Sequence, residues 1–375
     1  MTEEELRGRV RALVAKVNPD QVDMHTFRGA QFDHGLALVN FPEGYGGLGL
    51  NPRMQAIVND ELQKTCKTTY DDLVINPIGI GMGMPTLLTY GSDEMKKQLL
   101  RRCYTGEDIW CQLFSEPGAG SDLAAVSTKA VRTEGGWILD GQKVWTSYAQ
   151  FADWGLCLAR TNPDVPKQQG ISAFAIDMHS PGVEVRPLRQ ITDENEFNEV
   201  FFGEVFVPDD RLIGPIDQGW KVANSTLTHE RGVNPRQLVI HIQLLEELLR
   251  LAEEIGAFDD PRLAPRLGAA AAEVRLFQLH NWRTLSRVAK GQPPGPEGSA
   301  LKLYWSEMSK RLHDTVMAVL AEAAPLWFGA DDNPGGGTWQ RSWLYYQASS
   351  IWAGTNEIQR NILAERVLGL PRDPK

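Results

Sequence analysis

Gln112-Leu113-Phe114-Ser115-Glu116-Pro117-Gly118-Ala119-Gly120-Ser121-Asp122 is the stretch of this 375-residue chain most suited to holding a ligand. Its proline and two glycines make a bend, and its small residues let backbone amides and two hydroxyls approach a planar molecule. Trp145-Thr146-Ser147 repeats the theme with an aromatic face followed by hydroxyl donors. Without a ligand, the first segment reads as a turn that opens a β region. A third candidate is His229-Glu230-Arg231-Gly232, a carboxylate beside a guanidinium. Taken alone, Glu230 reads as an acid near a helix start, stabilised by the helix dipole.

Other chemistries fail on spacing. Gly79-x-Gly81-x-Gly83 and Gly118-Ala119-Gly120 begin like a dinucleotide fingerprint, but Met84 and Leu123 stand where the third glycine belongs. Neither leads from a strand into a helix within a βαβ unit, so a Rossmann site is excluded. The seven histidines lack HxxxH or HExxH spacing, which predicts no metal site, and His241 reads as a helix-surface or packed residue. Ser121 has glycine only on its amino side, so it is not a nucleophile elbow.

The elements that must position these residues fall into three parts: 1–110, 111–215 and 216–375. The first is helical, with helix formers over Arg53–Lys64 and Asp93–Arg102, glycine-rich turns at Pro42–Gly49 and Gly79–Gly83, and a helix start at Ser92-Asp93-Glu94-Met95. In the second the period changes to two. Gly135-Gly136 and Asp140-Gly141 bracket the run Trp137-Ile138-Leu139 as two turns, and strands follow at Gly155–Ala159, Ser172–Asp177, Val183–Arg186 and Asn198–Val207. No long helix separates them, which predicts an antiparallel β domain. In the third, Leu238, Ile242, Leu245, Leu249 and Ala252 form one stripe, and Leu301, Trp305, Met308, Leu312, Val316 and Val319 another. Loops at Gly291–Ser299 and Gly329–Trp339 interrupt a helical bundle whose core these stripes supply.

Composition bounds the partners. The formal charge of −10 repels polyphosphate and argues against nucleic acid. Hydrophobic residues at 42% and charged residues at 23% describe globular domains, two or three at this length. Met1–Val17 alternates acids and bases, unlike a secretory signal, and no apolar run reaches the ~18 residues of a membrane span. Cys66, Cys103, Cys111 and Cys157 show no CxxC spacing and read as free thiols in a reducing cytoplasm.

These segments resemble the acyl-CoA dehydrogenase family. So do Phe41-Pro42-Glu43-Gly44-Tyr45-Gly46-Gly47-Leu48-Gly49, Gly91-Ser92-Asp93-Glu94-Met95-Lys96, Asn198-Glu199-Val200-Phe201-Phe202 and Gly354-Thr355-Asn356-Glu357-Ile358-Gln359-Arg360-Asn361. The likeness runs in order from about residue 40 to 371. It implies an α+β multidomain fold with an N-terminal helical domain, a middle antiparallel β domain and a C-terminal four-helix bundle. It also implies FAD, an acyl-CoA substrate and α,β-dehydrogenation to the trans-2-enoyl-CoA in fatty acid or lipid metabolism. An electron-transferring flavoprotein would be the acceptor, and a dimer or tetramer the assembly. By resemblance, Gln112, Phe114, Ser115, Gly120 and Ser121 line the flavin or the acyl-CoA, and Trp145 and Ser147 contact the isoalloxazine. Thr355 and Glu357 meet the adenosine and pyrophosphate, although Glu357 replaces a frequent glutamine.

Such chemistry needs a base opposite the hydride acceptor. In many members the base is a glutamate just before the terminal Gly-Thr, where this chain has Ala353, able to offer only its backbone N–H to the thioester oxygen. A second branch carries the glutamate before an arginine on the first helix of the terminal bundle, and Glu230-Arg231 matches it. Glu230 is therefore the expected base, with Arg231 beside the site fixing the carboxylate or the substrate. The usual Arg-x-x-Phe-Gly motif is replaced by Gly256-Ala257-Phe258-Asp259-Asp260-Pro261, and the glycine pair before the last helix by Trp327-Phe328-Gly329. Both losses concern contributions across a subunit interface and suggest a variant FAD site or a hetero-oligomer. The competing readings are a non-catalytic or half-site partner subunit and a flavin oxidase or monooxygenase on the same fold.

Overall fold

The computed structural model describes residues 1–68, 70, 72–230, 235–290, 292, 295–296 and 298–372, without the side chains of 72, 73, 228–230, 235, 288 and 289. It divides into two compact units, residues 1–190 with 195–230, and residues 191–194 with 231–375.

Among the described residues, the first unit opens with the α-helices α1 (Glu3–Lys16), α2 (Met24–Asp33), α3 (Gln55–Thr65), α4 (Asp72–Ile75), α5 (Met84–Tyr90) and α6 (Asp93–Thr105). Thr2 and Glu5 form a reciprocal capping box on α1, and the Ser92 side chain accepts from the Met95 amide to cap α6. The glycine-rich stretch Gly79–Gly83 is not the turn its composition suggests. It is one π-helical turn running directly into α5. The reason is close packing: a Cβ on Gly79 would lie 2.4 Å from the Asn76 amide. That buried amide organises the region. Asn76 Oδ1 accepts from the Gly79 and Trp110 amides at 3.2 and 3.1 Å, and Nδ2 donates to the Cys103 and Asp108 carbonyls at 2.9 Å each.

An eight-stranded sheet follows: β1 (Trp110–Leu113), β2 (Lys129–Thr133), β3 (Gly136–Ser147), β4 (Trp154–Arg160), β5 (Ile171–Asp177), β6 (Val183–Pro187), β7 (Phe197–Pro208) and β8 (Leu212–Ile213). The order is β6-β7-β3-β2-β4-β5-β8, with β1 added to β4. Its pairs are antiparallel except where β1 lies parallel to β4 and where Lys129 meets Arg160. Gly135, at φ 72°, makes the expected tight turn between β2 and β3. Asp140-Gly141 does not make a second one. β3 continues straight through it, because both strands are twelve residues long and pair on either side; the register slip between Leu139 and Gly141 is taken up by an extra residue on β7, where Glu204 has a left-handed φ of 54°.

The unit closes with α7 (Gly219–Glu230), whose Val222 and Ala223 are buried in one core with Met84, Leu87, Trp110, Phe114 and Leu156. Thr226 and Thr86 share a buried hydroxyl hydrogen bond of 2.8 Å between α7 and α5. Glu230 is the twelfth residue of this helix. The expectation of an acid near a helix start is therefore wrong, because the helix begins at Gly219.

In the second unit are α8 (Pro235–Glu254), α9 (Ala264–Ala289), α10 (Gly298–Leu320), α11 (Thr338–Gln347) and α12 (Asn356–Ile362). Both apolar stripes face the helix–helix core, with Leu238, Ala252, Met308, Leu312, Val316 and Val319 buried. The expected loop at Gly329–Trp339 ends two residues early, since Thr338 and Trp339 already belong to α11. That at Gly291–Ser299 lies partly outside the described residues, and α10 has begun by Gly298. His241 is a fully buried core residue, bonded through Nδ1 to the Gln237 carbonyl at 2.7 Å and through Nε2 to Ser309 Oγ at 2.9 Å. His313 is equally buried and stacks on Tyr346 at 4.7 Å.

Burial pushes both imidazoles down to about 4, so the folded protein holds them neutral. The stability this represents is complete above the ordinary value near 6.5 and is lost as pH falls from there toward 4. Thermal melts followed by circular dichroism across that window should show the helical unit weakening, and replacing His241 and His313 together with Gln should flatten the decline.

Candidate active site

β1 delivers the bend at 114–121 to one end of the sheet. Phe114 is buried, Ser115 is half-buried, and the Glu116 and Ala119 backbones exchange two hydrogen bonds of 3.0 and 3.1 Å that close the turn. Beneath it lies a buried ion pair. Lys143 Nζ donates to Glu116 Oε1 at 2.7 Å, to the Leu158 carbonyl at 2.7 Å and to the Phe114 carbonyl at 3.2 Å. Glu116 also accepts from the Thr128 amide at 3.0 Å, the Ser127 amide at 2.6 Å and Ser127 Oγ at 2.8 Å. Burial by itself would raise the Glu116 carboxyl, but the Lys143 charge and the hydrogen bonds from Lys143, Thr128 and Ser127 outweigh it and hold the group at about 2.

The same lysine fixes the aromatic candidate. One residue beyond it, the Val144 amide donates to the Ser115 carbonyl at 2.9 Å, which sets the end of β3 beside the bend. The register against β7 slips again between Lys143 and Thr146, where Trp145 takes a left-handed φ of 59°. The slip turns the indole outward. Trp145 is 62% exposed and steadied by the edge of Phe197 at 6.0 Å, while Thr146 is buried and Ser147 half-buried. Among the described residues, Thr146 Oγ1 meets no hydrogen-bond partner.

Gly118, Gly120 and Ser121 are exposed, and a Cβ on either glycine would meet nothing within 4 Å. Gln112, half-buried on β1, pairs with Leu156. A flat aromatic face, open glycine backbone and nearby hydroxyls are a donor set that fits a planar cofactor with polar edges, such as a flavin. The structure thus brings Phe114, Ser115, Trp145 and Ser147 to one place, with Gly120 and Ser121 at the end of the adjoining turn. Among the described residues, no cluster of His, Cys, Asp or Glu could hold a metal, and no helix is long and apolar enough to cross a membrane.

Of the remaining candidates, Glu230 ends the first unit and the others belong to the second. Ala353 and Gly354 take consecutive left-handed φ values of 52° and 84°, and Gln359 Nε2 donates to both of their carbonyls at 3.2 and 3.1 Å. Thr355 caps α12, its hydroxyl accepting from the Ile358 amide. Asn356 is buried and held by Ser306, Lys302 and Glu307 at 2.9, 3.1 and 2.6 Å. Glu357 is exposed and paired with Arg360 at 3.4 Å. Glu230 has a described backbone only, and both its side chain and Arg231 lie outside the described residues.

Sequence reasoning missed Lys143, Asn356 and Gln359 as holders of the site. A signal existed for the lysine: strict alternation from the inward Trp137 and Leu139 places residue 143 inside as well.

Three family models match in succession: the acyl-CoA dehydrogenase N-terminal domain at residues 1–107, the middle domain at 111–205 and the C-terminal domain at 217–368. The acyl-CoA dehydrogenase FadE34 of Mycobacterium tuberculosis is 38% identical over 98% of this chain. The chain spans only 49% of that relative's length. Among solved structures, the Tcur3481-Tcur3483 steroid ACAD superposes with a TM-score of 0.78 at 26% identity, covering 99% of this chain and 98% of that one. The ChsE4-ChsE5 complex from Mycobacterium tuberculosis gives 0.77 at 27% identity, covering 99% and 97%. The chain belongs to the acyl-CoA dehydrogenase family.

Proposed function

We propose that this chain is an FAD-dependent acyl-CoA dehydrogenase that converts an acyl-CoA to its trans-2-enoyl-CoA, with Glu230 as the base. The observation that carries the reading is the exposed Trp145, locked by its left-handed bulge beside the glycine-open bend at 114–121, a flat shelf prepared for a ring system. Gln112, Phe114, Ser115, Gly120, Ser121, Trp145 and Ser147 would hold the flavin and thioester ends, and Thr355 and Glu357 its nucleotide end. FAD, when bound, supplies the hydride acceptor for Cβ. The protein's part is then to remove the α-proton and to stabilise charge on the thioester oxygen.

Ala353 lacks a carboxylate, so it contributes a backbone N–H held in place through the Gln359 clamp on the neighbouring carbonyls. Proton removal falls to Glu230 at the end of α7, with Arg231 beside it. The bulk of the acyl group follows from kinship: the name of one solved relative includes "steroid", and we extend a large ring-bearing acyl group to this chain. An electron-transferring flavoprotein is the acceptor in this reading. The four cysteines are buried and unpaired, which suits a reducing cytoplasm.

Partner dependence is favoured by a specific observation. Where the family's cross-subunit arginine would stand, Gly256 turns the chain at φ 71° and Ala257–Asp259 form one 3₁₀ turn. The next cation, Arg262, is committed to Asp260 at 2.7 Å. We therefore place this chain in a hetero-oligomer whose other subunit supplies that cation, in keeping with the two-protein complexes among its structural relatives and with FadE34, twice as long.

Three outcomes test the proposal. An anaerobic panel of acyl-CoAs should bleach the flavin, most strongly with bulky acyl groups. Glu230→Gln should lower the bleaching rate by roughly 10²–10⁴-fold with flavin still bound; an unchanged rate sinks the assignment of the base. Expressed alone, the chain should purify with substoichiometric FAD and reach full loading only with a second acyl-CoA dehydrogenase subunit. Light scattering that finds a fully flavinated homo-oligomer removes the obligatory partner.

A further inference from the structure

Lys143 and Glu116 are the most deeply buried charges beneath the proposed cofactor shelf, with side chains 0% and 3% exposed. Every hydrogen of the ammonium is spent: one on Glu116 and one each on the Phe114 and Leu158 carbonyls. Both Glu116 oxygens are spent too, one on Lys143 and the Thr128 amide, the other on Ser127. Neither residue has a polar atom left for a ligand, so whatever they do for one is done through the backbone they hold.

That backbone is specific. The Phe114 carbonyl hangs from Lys143, and the Ser115 carbonyl from the amide of the very next residue, Val144. The turn at 116–119 is closed on Glu116 itself. The pair therefore joins the two segments that carry the proposed shelf, Phe114–Ser121 and Trp145–Ser147. A buried ion pair adds little net stability over a well-packed apolar pair, because desolvation offsets its attraction. Apolar side chains could fill the volume, but they could not tether two carbonyl oxygens and two amides from different strands. The role that demands charge is placement.

We propose that Lys143 and Glu116 are positioning residues for the flavin, setting cofactor affinity and the environment of its ring system by locking the bend and the Trp145 bulge into one shelf before the cofactor arrives. The proposal rests on the FAD-binding reading above. Three variants separate placement from stability: Lys143→Met, Glu116→Gln, and the two combined. Lys143→Met strands a buried carboxylate and should lower the melting temperature sharply. The double variant removes both charges, leaves only neutral hydrogen bonds unmade, and should recover part of that loss, melting above Lys143→Met.

FAD affinity, measured by fluorescence quenching on titrating FAD into apoprotein with any required partner subunit present, should nonetheless fall at least tenfold in the double variant. Any flavin it does bind should show altered visible circular dichroism. Wild-type affinity and spectrum in the double variant would overturn the proposal. So would losses of affinity that simply track melting temperature across the three variants. If wild-type protein takes up no FAD at all, the underlying cofactor reading has failed, an outcome distinct from both of these.

Discussion

One buried ion pair, Lys143 with Glu116, fixes the site-bearing end of the first unit. It joins the exit of β1, the middle of β3, the end of β4 and the start of β2 through six hydrogen bonds, four of them buried and the two from the exposed Ser127 partly so. In such surroundings an unmade hydrogen bond is expensive, so the network forms as a whole or not at all. The bend at 114–121 is thereby a rigid feature of the sheet despite its glycines, and the mobility that Gly118 and Gly120 suggest in isolation is confined to a turn anchored at both ends.

The second unit uses a different device. Its Ala353-Gly354-Thr355-Asn356 segment must follow two successive left-handed residues into a short helix, a path that costs an alanine about 1–2 kcal/mol relative to ordinary helical backbone. Gln359 and the buried Asn356 pin it from within the unit. The strained shape persists here although the side chain at 353 is only a methyl. The shape is therefore held by backbone acceptors and by Asn356, and it does not require a carboxylate at that position.

Much of this was legible in the sequence, and the parts that were not share a cause. Helices with caps, such as α6 behind Ser92, and strands bounded by clear turns, such as β5 and β7, declare themselves locally. Gly79–Gly83 and Asp140-Gly141 do not, because their glycines answer to tertiary packing: in one case around the Asn76 amide, which is fixed by Cys103, Asp108 and Trp110, and in the other to the long pairing of β3 with β7. The placement of Glu230 failed for a related reason, since a helix start at Gly219 leaves no local mark at residue 230. The bend and the indole of the site were readable as residue types. Their support was not, because a lysine in an alternating strand looks like any surface lysine until the strand across from it is known.

The register slip between Lys143 and Thr146 has a further consequence. Three steps of β3 there span two of β7, which reverses the side an odd-numbered residue faces, so Lys143 is inside while Trp145, two positions on, is turned out. Losing one residue from that slip would restore plain pairing with β7 and erase the left-handed bulge that presents Trp145 beside the bend. This stretch is thus closed to length variation of the kind loops tolerate, although it can still vary in residue type.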